Sequence, residues 1–561
     1  MMMKWKPSPS IEATEELMDI INFDGSLSVL AGAGAGKTEL LAQKANYLFV
    51  TNKCPWPKRI LSLTFKTEAQ ENIKKRIDSR CGQKSERFDS FTFHGFCKSI
   101  IDRFKNTLDE AERPIDNYDI VLRQPEANGS DKILMSELPT LALKIISQRE
   151  DIKNIFSMSY EYVFVDEFQD TTNQQYALLK LLFSNTATKI ITVGDINQSI
   201  MLWADARPSV FTDFLSDFAA TKKLLLKNYR ASVEIQNVLN IVLEFIEGTT
   251  QPLTVLQDIS PNCSVHLFDN ELREAKFIAN EIYRSIQSGT KESEICVLTK
   301  QQSSNYSEIL RSELSRLGIN NLDMSELQDV LKEPLGRLFS LFLKAVISPN
   351  PKTITELYDI NRNLNRVDVG DENETEITAL IANFISQKQS SINKTTSIDN
   401  IISDIQGFIH FLGVKNIKGR WKQYKSPAYY SSVWQSLELH LRNMYAQSGS
   451  IEEAAKLFTA DNTIQIMNIH KCKGLEYRSV YFLGLEDQAF WNYSSEPFEN
   501  NCAIYVALSR AKENICVTSS CCREHRVTQW HDNRNSTFNS VGPVFDLLID
   551  NCKFQAVDHT A

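Results

Sequence analysis

Along this chain, short apolar runs of β type alternate with helical patterns in two separate regions. The first region holds "SLSVL", "RILSLTF", "EYVFVDE" and "KIITVGD"; the second holds "SVHLFD", "EICVLTK", "TIQIMNIH", "SVYFLGL" and "ENICVTSS". Strands recurring between helices predict parallel sheets of the α/β class. Two polar or mainly helical stretches interrupt the rhythm. One runs from about 99 to 158 and contains "RQPEANGSDK". The other runs from about 332 to 456 and contains "NRNLNRVDVGDENETE" and "SQKQSSINKTTSIDN", which read as surface segments. No internal repeat interrupts the pattern. The expected architecture is two α/β cores, each carrying a mainly helical insertion. The first core takes residues 1–98 and 159–230 with its insertion at 99–158; the second takes 231–331 and 457–561 with its insertion at 332–456. At 561 residues the chain is too long for one core.

Composition adds little to this picture. A hydrophobic content of 42% and a charged content of 23% are those of an ordinary globular protein. No apolar stretch is long enough to span a bilayer, and "MMMKWKPSPS" has no apolar core behind its lysines, so a cytoplasmic chain without a membrane partner is expected. Eleven scattered cysteines, an odd number, fit reduced thiols better than a disulfide framework. "CCREHRVTQWH" offers Cys521, Cys522, His525 and His531, but adjacent cysteines with no second cluster argue against zinc. The net charge of −9 argues against indiscriminate coating of nucleic acid and leaves room for a locally basic groove. "VKNIKGRWKQYKSPAYY" (414–430) is basic, acid-free and aromatic. Duplex binding or partner docking is one reading of it; a solvated basic face is the default.

The chemistry begins at "SLSVLAGAGAGKTELL", residues 26–41, where an apolar run feeds a small-residue loop that opens a helix. This is the context of a P-loop. Backbone N–H groups of Ala31, Gly32, Ala33, Gly34, Ala35 and Gly36 wrap phosphate, Lys37 reaches the outer phosphates, and Thr38 ligates Mg2+ at a helix N-terminus. The loop implies a nucleoside triphosphate and says nothing about the work done. The second signal is "YVFVDEFQDT", residues 162–171, an apolar strand ending in paired acids. Asp166 can hold Mg2+ through its water shell, and Glu167 can deprotonate an attacking water. A dedicated Glu beside the magnesium Asp points to hydrolysis rather than group transfer.

From here the sequence resembles the superfamily 1 helicases of the UvrD/Rep/PcrA type. "DEFQDTTNQQ" resembles their DExx box, and further motifs follow in the family's order: "LSLTFKTEAQENIKKRI" (61–77), "SFTFHGFC" (90–97), "TVGDINQSI" (192–200), "LKNYRAS" (226–232), "IMNIHKCKGLEYRSVYFLG" (466–484) and "YVALSRAKENICV" (505–517). The resemblance spans residues 28 to 517 and implies two RecA-like P-loop NTPase domains with ATP held between them. It makes Gln198 a sensor of the γ-phosphate or its water, Tyr229 a stacking face for adenine, Arg230 and Arg510 arginine fingers, and Glu476 the acceptor of the ribose hydroxyls. It implies a track of single-stranded DNA, or a tailed duplex, travelled 3′→5′. Thr64, Phe65, Thr92, His94, Trp203 and His470 lie in motifs that line the family's DNA groove, with aromatic faces for bases and hydroxyls for phosphates. Phe65 and Phe93 are each equally well read as core aromatics.

Four departures from the family stand out. No Gln precedes the P-loop; the first is Gln43. Met201 and Ala204 replace an aromatic and an arginine after motif III, which weakens the expected link between nucleotide and DNA. Asn468 stands where the family favours Thr, and "EPFENNCAIYV" lacks a usual arginine pair. Both insertions are shorter than in full-length repair helicases. The expected function is thus an ATP-dependent DNA translocase or helicase. The alternative is a DNA-activated ATPase subunit of a nuclease-containing complex, similar to the helicase-like component of the Gabija anti-phage system.

Overall fold

The computed structural model describes residues 5–560 apart from 10, 117, 122–130, 202–204, 226, 249–252, 325–329, 332, 368–369, 393–395, 461 and 524–534. The chain divides into two compact units: Met1–Asn262 with Phe490–Asn514 and Ser540–Gln555, and Cys263–Ala489 with Ile515–Asn539 and Ala556–Ala561.

The strands of the first unit are β1 (Leu27–Ala31), β2 (Arg59–Thr64), β3 (Phe88–Thr92), β4 (Asp119–Val121), β5 (Lys132–Leu134), β6 (Tyr160–Val165), β7 (Lys189–Gly194) and β8 (Thr221–Leu225). Six of them form one sheet in the order β3-β2-β6-β7-β1-β8, with every neighbouring pair parallel. The remaining two, β4 and β5, pair with each other inside the first insertion. Strand side chains alternate between faces, so a sheet covered on both sides needs apolar residues at nearly every position. The strand β6 shows this. Tyr162 and Phe164 enter a core with Leu27, Val29 and Leu41, while Val163 and Val165 enter the opposite one with Leu61, Phe93 and Leu179. At the edge, β8 reads Thr-Lys-Lys-Leu-Leu and is largely exposed, a charged edge that resists pairing with a second chain.

Strand order is what makes a site. β1 lies far from β6 and β7 in sequence yet beside β7 in the sheet, so the loops leaving the carboxyl ends of all three converge. Those loops carry Asp166 and Glu167, Gln198, and the small-residue loop ending at Gly36.

A second sheet is built from β9 (Ser260–Phe268), β10 (Ile295–Thr299), β11 (Asn321–Asp323), β12 (Ile464–Asn468), β13 (Tyr477–Leu483), β14 (Ala511–Ser520) and β15 (Phe554–His559), in the order β11-β12-β10-β13-β14-β9-β15. The pairs β11/β12, β12/β10, β10/β13 and β14/β9 are parallel. Between β11 and β12 lies a helical insertion from Pro334–Ile347 to Ile451–Phe458 whose core gathers Leu338, Phe342, Ile405, Phe408, Leu437 and Phe458. The protein is therefore α/β with two RecA-like parallel sheets, as the alternation of strands and helices predicts.

The aromatic residues of 414–430 belong to this packing. Tyr424 is fully buried; its hydroxyl donates to Glu333 Oε2 at 2.8 Å and accepts from the Leu335 N–H at 3.0 Å. Tyr429 donates to the other oxygen of Glu333 at 2.7 Å. Lys415, Arg420 and Lys425 face solvent. The segment is a buried aromatic anchor under a solvated basic face.

Among the described residues no helix is long and apolar enough to cross a membrane, and all eleven cysteines are free thiols.

Candidate functional site

The loop after β1 is shaped by its glycines. Gly34 and Gly36 sit at φ +73° and +81°, in the left-handed region that glycine adopts without strain. The helix Lys37–Val50 follows Gly36 with no side-chain cap, so it begins on bare backbone N–H groups at the positive end of its dipole. A Cβ on Gly32 or Gly36 would meet nothing within 4 Å, which leaves the concave side open. At Gly34 the same Cβ would run into the Asn228 side chain and lie 2.8 Å from Arg230 Cβ. The reason is a close approach by the segment after β8. Tyr229 donates its N–H to Gly34 O at 3.1 Å, and Asn228 Oδ1 accepts from the N–H groups of Arg230 at 2.8 Å and Ala231 at 3.2 Å. Asn228 thus sets Tyr229 and Arg230 against the loop. Sequence reasoning passed over it, although Asn two residues before the bonded N–H is the Asx-turn spacing. Tyr229 is 54% exposed beside the loop, with the Lys227 ammonium 5.1 Å from its ring centroid.

Charged and amide groups join these loops into one chain of contacts. Lys37 Nζ lies 3.2 Å from Glu167 Oε2. Burial pulls the pKa of Lys37 down, but the carboxylates of Glu167, Asp195 and Asp166 outweigh it and the net direction is upward, so the ammonium stays charged. Gln169 Nε2 donates to Glu167 Oε2 at 2.7 Å, and its Oε1 accepts from the Asp195 N–H at 3.0 Å. Gln198 Nε2 donates to Asp195 Oδ2 at 2.7 Å, and its Oε1 accepts from Arg510 at 3.4 Å. Burial pushes the carboxyl of Asp195 up, against the pull of Lys37 and the Gln198 hydrogen bond. Arg510 is 2% exposed and also donates to Val506 O and Ser509 Oγ. It is carried in by the helix Pro497–Leu508.

The donor set fits a magnesium triphosphate. Hard oxygen donors, the hydroxyl of Thr38 and the carboxylate of Asp166, suit magnesium. The open glycine cradle, its uncapped helix start and a charged lysine suit phosphate. Asp166 is buried at the end of β6, with Oδ1 accepting the Glu167 N–H at 2.9 Å.

Thr64, Phe65, Thr92 and His94, which the family resemblance assigns to a DNA groove, are grouped at one place in the first unit. Thr64 and Thr92 are register partners at the carboxyl ends of β2 and β3. Thr64 is buried, with its hydroxyl donating to Lys66 O at 3.3 Å. Thr92 caps the helix Phe93–Phe104 by accepting the Gly95 N–H at 3.0 Å. The half-buried Phe65 packs its ring 5.3 Å from that of Phe93, which is a core residue. His94 is half-buried, and burial holds its imidazole below the usual pKa, in the neutral form. In the second unit, His470 lies on the short helix Ile469–Cys472 after β12, and Glu476 is exposed just before β13. Trp203 and Ala204 lie outside the described residues, as do His525 and His531.

Comparison with known proteins agrees with this geometry. The UvrD/REP helicase N-terminal domain matches residues 13–130 and 105–219, and the UvrD-like helicase C-terminal domain matches residues 224–332 and 348–521. The chain is 23% identical over 641 residues to the ATP-dependent DNA helicase PcrA of Bacillus subtilis, covering 94% of this chain and 85% of that protein. It is 23% identical over 623 residues to a probable DNA helicase II homolog of Mycoplasma capricolum, covering 90% and 83%. The PcrA of Staphylococcus aureus is 23% identical over 616 residues, covering 91% and 83%. Two family domains that together account for most of the chain, over a site with the family's chemistry, place it plainly: the chain belongs to the UvrD/REP family of ATP-hydrolysing DNA helicases.

Proposed function

We propose that this protein is a motor that hydrolyses ATP to move 3′→5′ along single-stranded DNA and to separate the strands of a tailed duplex. What supports the reading most is the convergence of Lys37, Asp166, Glu167, Gln198 and Arg510 on the open end of the glycine loop. In this reading the loop N–H groups and Lys37 hold the phosphates, and Thr38 and Asp166 hold magnesium. Magnesium there neutralises charge on the phosphate oxygens. Glu167 takes the proton of the attacking water, Gln198 orients that water through an amide that both donates and accepts, and Arg230 and Arg510 neutralise the charge that develops in the transition state. Tyr229 stacks on adenine and Glu476 accepts from the ribose hydroxyls. Phe65, His94, Trp203 and His470 offer faces to successive bases and Thr92 lines the phosphate path, while Thr64, buried with its hydroxyl donating to Lys66 O, supports that path from beneath.

The test is ATP hydrolysis with and without single-stranded DNA, run beside strand separation on 3′-tailed and 5′-tailed duplexes, with Glu167→Gln as control. The expected result is hydrolysis stimulated by DNA, abolished by chelating magnesium, and unwinding of the 3′-tailed substrate alone. Stimulated hydrolysis without separation would move the assignment to a DNA-activated ATPase subunit that works with a nuclease. No stimulation by DNA would remove the groove assignment.

A further inference from the structure

The residue after the paired acids is Phe168, and the one after that is a buried glutamine, Gln169, only 2% exposed. Its side chain bridges two loops. Nε2 donates to Glu167 Oε2 at 2.7 Å, and Oε1 accepts the N–H of Asp195, the first residue past β7, at 3.0 Å. Glu167 itself is held at φ +49° and ψ +46°, a left-handed conformation that costs a non-glycine residue about 1–2 kcal/mol. Such a residue keeps its place only if its surroundings over-determine it. The end of β7 is shaped to let the amide through. A Cβ on Gly194 would lie 2.5 Å from Gln169 Oε1 and 3.0 Å from the Phe168 nitrogen, so only glycine admits the bridge.

We infer that Gln169 is a positioning residue for the general base, its amide fixing the Glu167 carboxylate in place by spanning from that carboxylate to the Asp195 N–H. The inference rests on the reading of Glu167 as the base. Only an amide does both jobs at this length: it donates to a carboxylate and accepts from a backbone N–H at once. A carboxylate at 169 keeps the acceptor and loses the donor; a thioether keeps neither. Lys37 shares the same Glu167 oxygen at 3.2 Å. When phosphates draw the ammonium away, the Gln169 bond still holds the base.

Gln169→Met and Gln169→Glu test this by single-turnover ATP hydrolysis, alongside nucleotide affinity, thermal melting and the Glu167→Gln control. The expected result for Gln169→Met is a rate about 10- to 100-fold lower, less than the roughly 100- to 10,000-fold that a general base contributes, because the base is displaced rather than removed. Nucleotide affinity stays within about threefold, so the loss falls on the chemical step. Gln169→Glu keeps the acceptor for Asp195, and so the local fold, but loses the donor to Glu167 and slows the reaction at least as much. A rate within twofold of the parent in either variant, or a loss matched by weaker nucleotide binding, would overturn the inference. Should Glu167→Gln itself hydrolyse ATP normally, the assignment of the base fails instead, and the two failures are distinct.

Discussion

Replacing Arg523 with methionine isolates the energetics of the most enclosed ion network in the second unit. The guanidinium is 4% exposed. Its Nε donates to Glu486 Oε2 at 2.9 Å and Oε1 at 3.0 Å, with a further short contact from the terminal nitrogen, and its other terminal nitrogen lies 3.0 Å from Glu274 Oε2. Glu486 and Glu274 are 0% and 1% exposed. Glu486 also accepts from the Ser520 N–H at 2.9 Å and the Ser536 hydroxyl at 3.0 Å, so the network ties the ends of β13 and β14 to the first turn of the helix Glu271–Gln287. Three buried carboxylates share one cation: Glu486, Glu274 and, at 4.0 Å, Glu271. Burial pushes the pKa of Glu274 up, against the opposing pull of Arg523. Without the arginine, Glu486 keeps two neutral donors and no counter-charge; breaking a buried pair from one side costs about 3–5 kcal/mol. Because the chain has two units, a single unfolding curve is the wrong readout. Amide hydrogen exchange in β13, β14 and the helix Glu271–Gln287 reports the local opening free energy instead. The expected loss there is about 3–5 kcal/mol at neutral pH, shrinking on acidification as the orphaned carboxyls take up protons. Adding Glu486→Gln to Arg523→Met should recover part of it, since the most enclosed of the orphaned carboxylates is then neutral while Glu274 still lacks its counter-charge. A loss below about 1 kcal/mol, or a double variant worse than either single one, would refute the reasoning, because exposed pairs behave that way.

Two further outcomes follow from the geometry. His266 Nδ1 lies 3.0 Å from His559 Nε2, among Phe268 and Phe277, and burial first, then His559, pushes its pKa down to about 4. The unfolded chain binds a proton between pH 6.5 and about 4 that the folded one refuses, so stability falls through that window as pH drops, by about 3 kcal/mol. His266→Phe should flatten the acid dependence of exchange in β9 and β15, and an unchanged slope would contradict it. At the loop, Gly34→Ala forces an L residue to φ +73° and drives a Cβ into Asn228. Nucleotide affinity measured by a fluorescent ATP analogue should drop tenfold or more while thermal melting stays close to the parent; undiminished binding would mean that the Asn228–Arg230 segment is not held by this contact.

The parts legible in the sequence are those whose residues speak for themselves. Strands buried on both faces, such as β6 and β7, read as unbroken apolar runs. The edge strands do not: β8, Thr-Lys-Lys-Leu-Leu, opens on polar residues because the edge meets solvent, and β3, "FDSFT", carries too little apolar pattern to stand out. The glycine loop and the paired acids were legible because phosphate and water chemistry demands those residue types in order. Asn228 and Gln169 were not, since one folds its own turn and the other bridges to the backbone of another loop, and each leaves only an ordinary amide in the sequence. Lys44 shows the same limit. On a helical wheel it is a solvated lysine, yet its ammonium is buried and caps the helix Glu15–Asn22 by donating to the carbonyls of Ile20, Ile21 and Phe23. Gln43, the first glutamine of the chain, is likewise engaged in the fold, paired with Ser8 and Glu39.

Arg510 illustrates what topology adds to a motif. It belongs to the first compact unit although it lies late in the chain, carried there by Phe490–Asn514, and it meets Gln198 through a contact of 3.4 Å. The other links from Lys37 to Gln198 are 3.2, 2.7, 3.0 and 2.7 Å. By length the Gln198–Arg510 bond is the weakest in the series. The shorter bonds join Glu167 to Gln169, Gln169 to Asp195 and Asp195 to Gln198, so these four residues hold one another without calling on either Lys37 or Arg510, the two cations at the ends of the series.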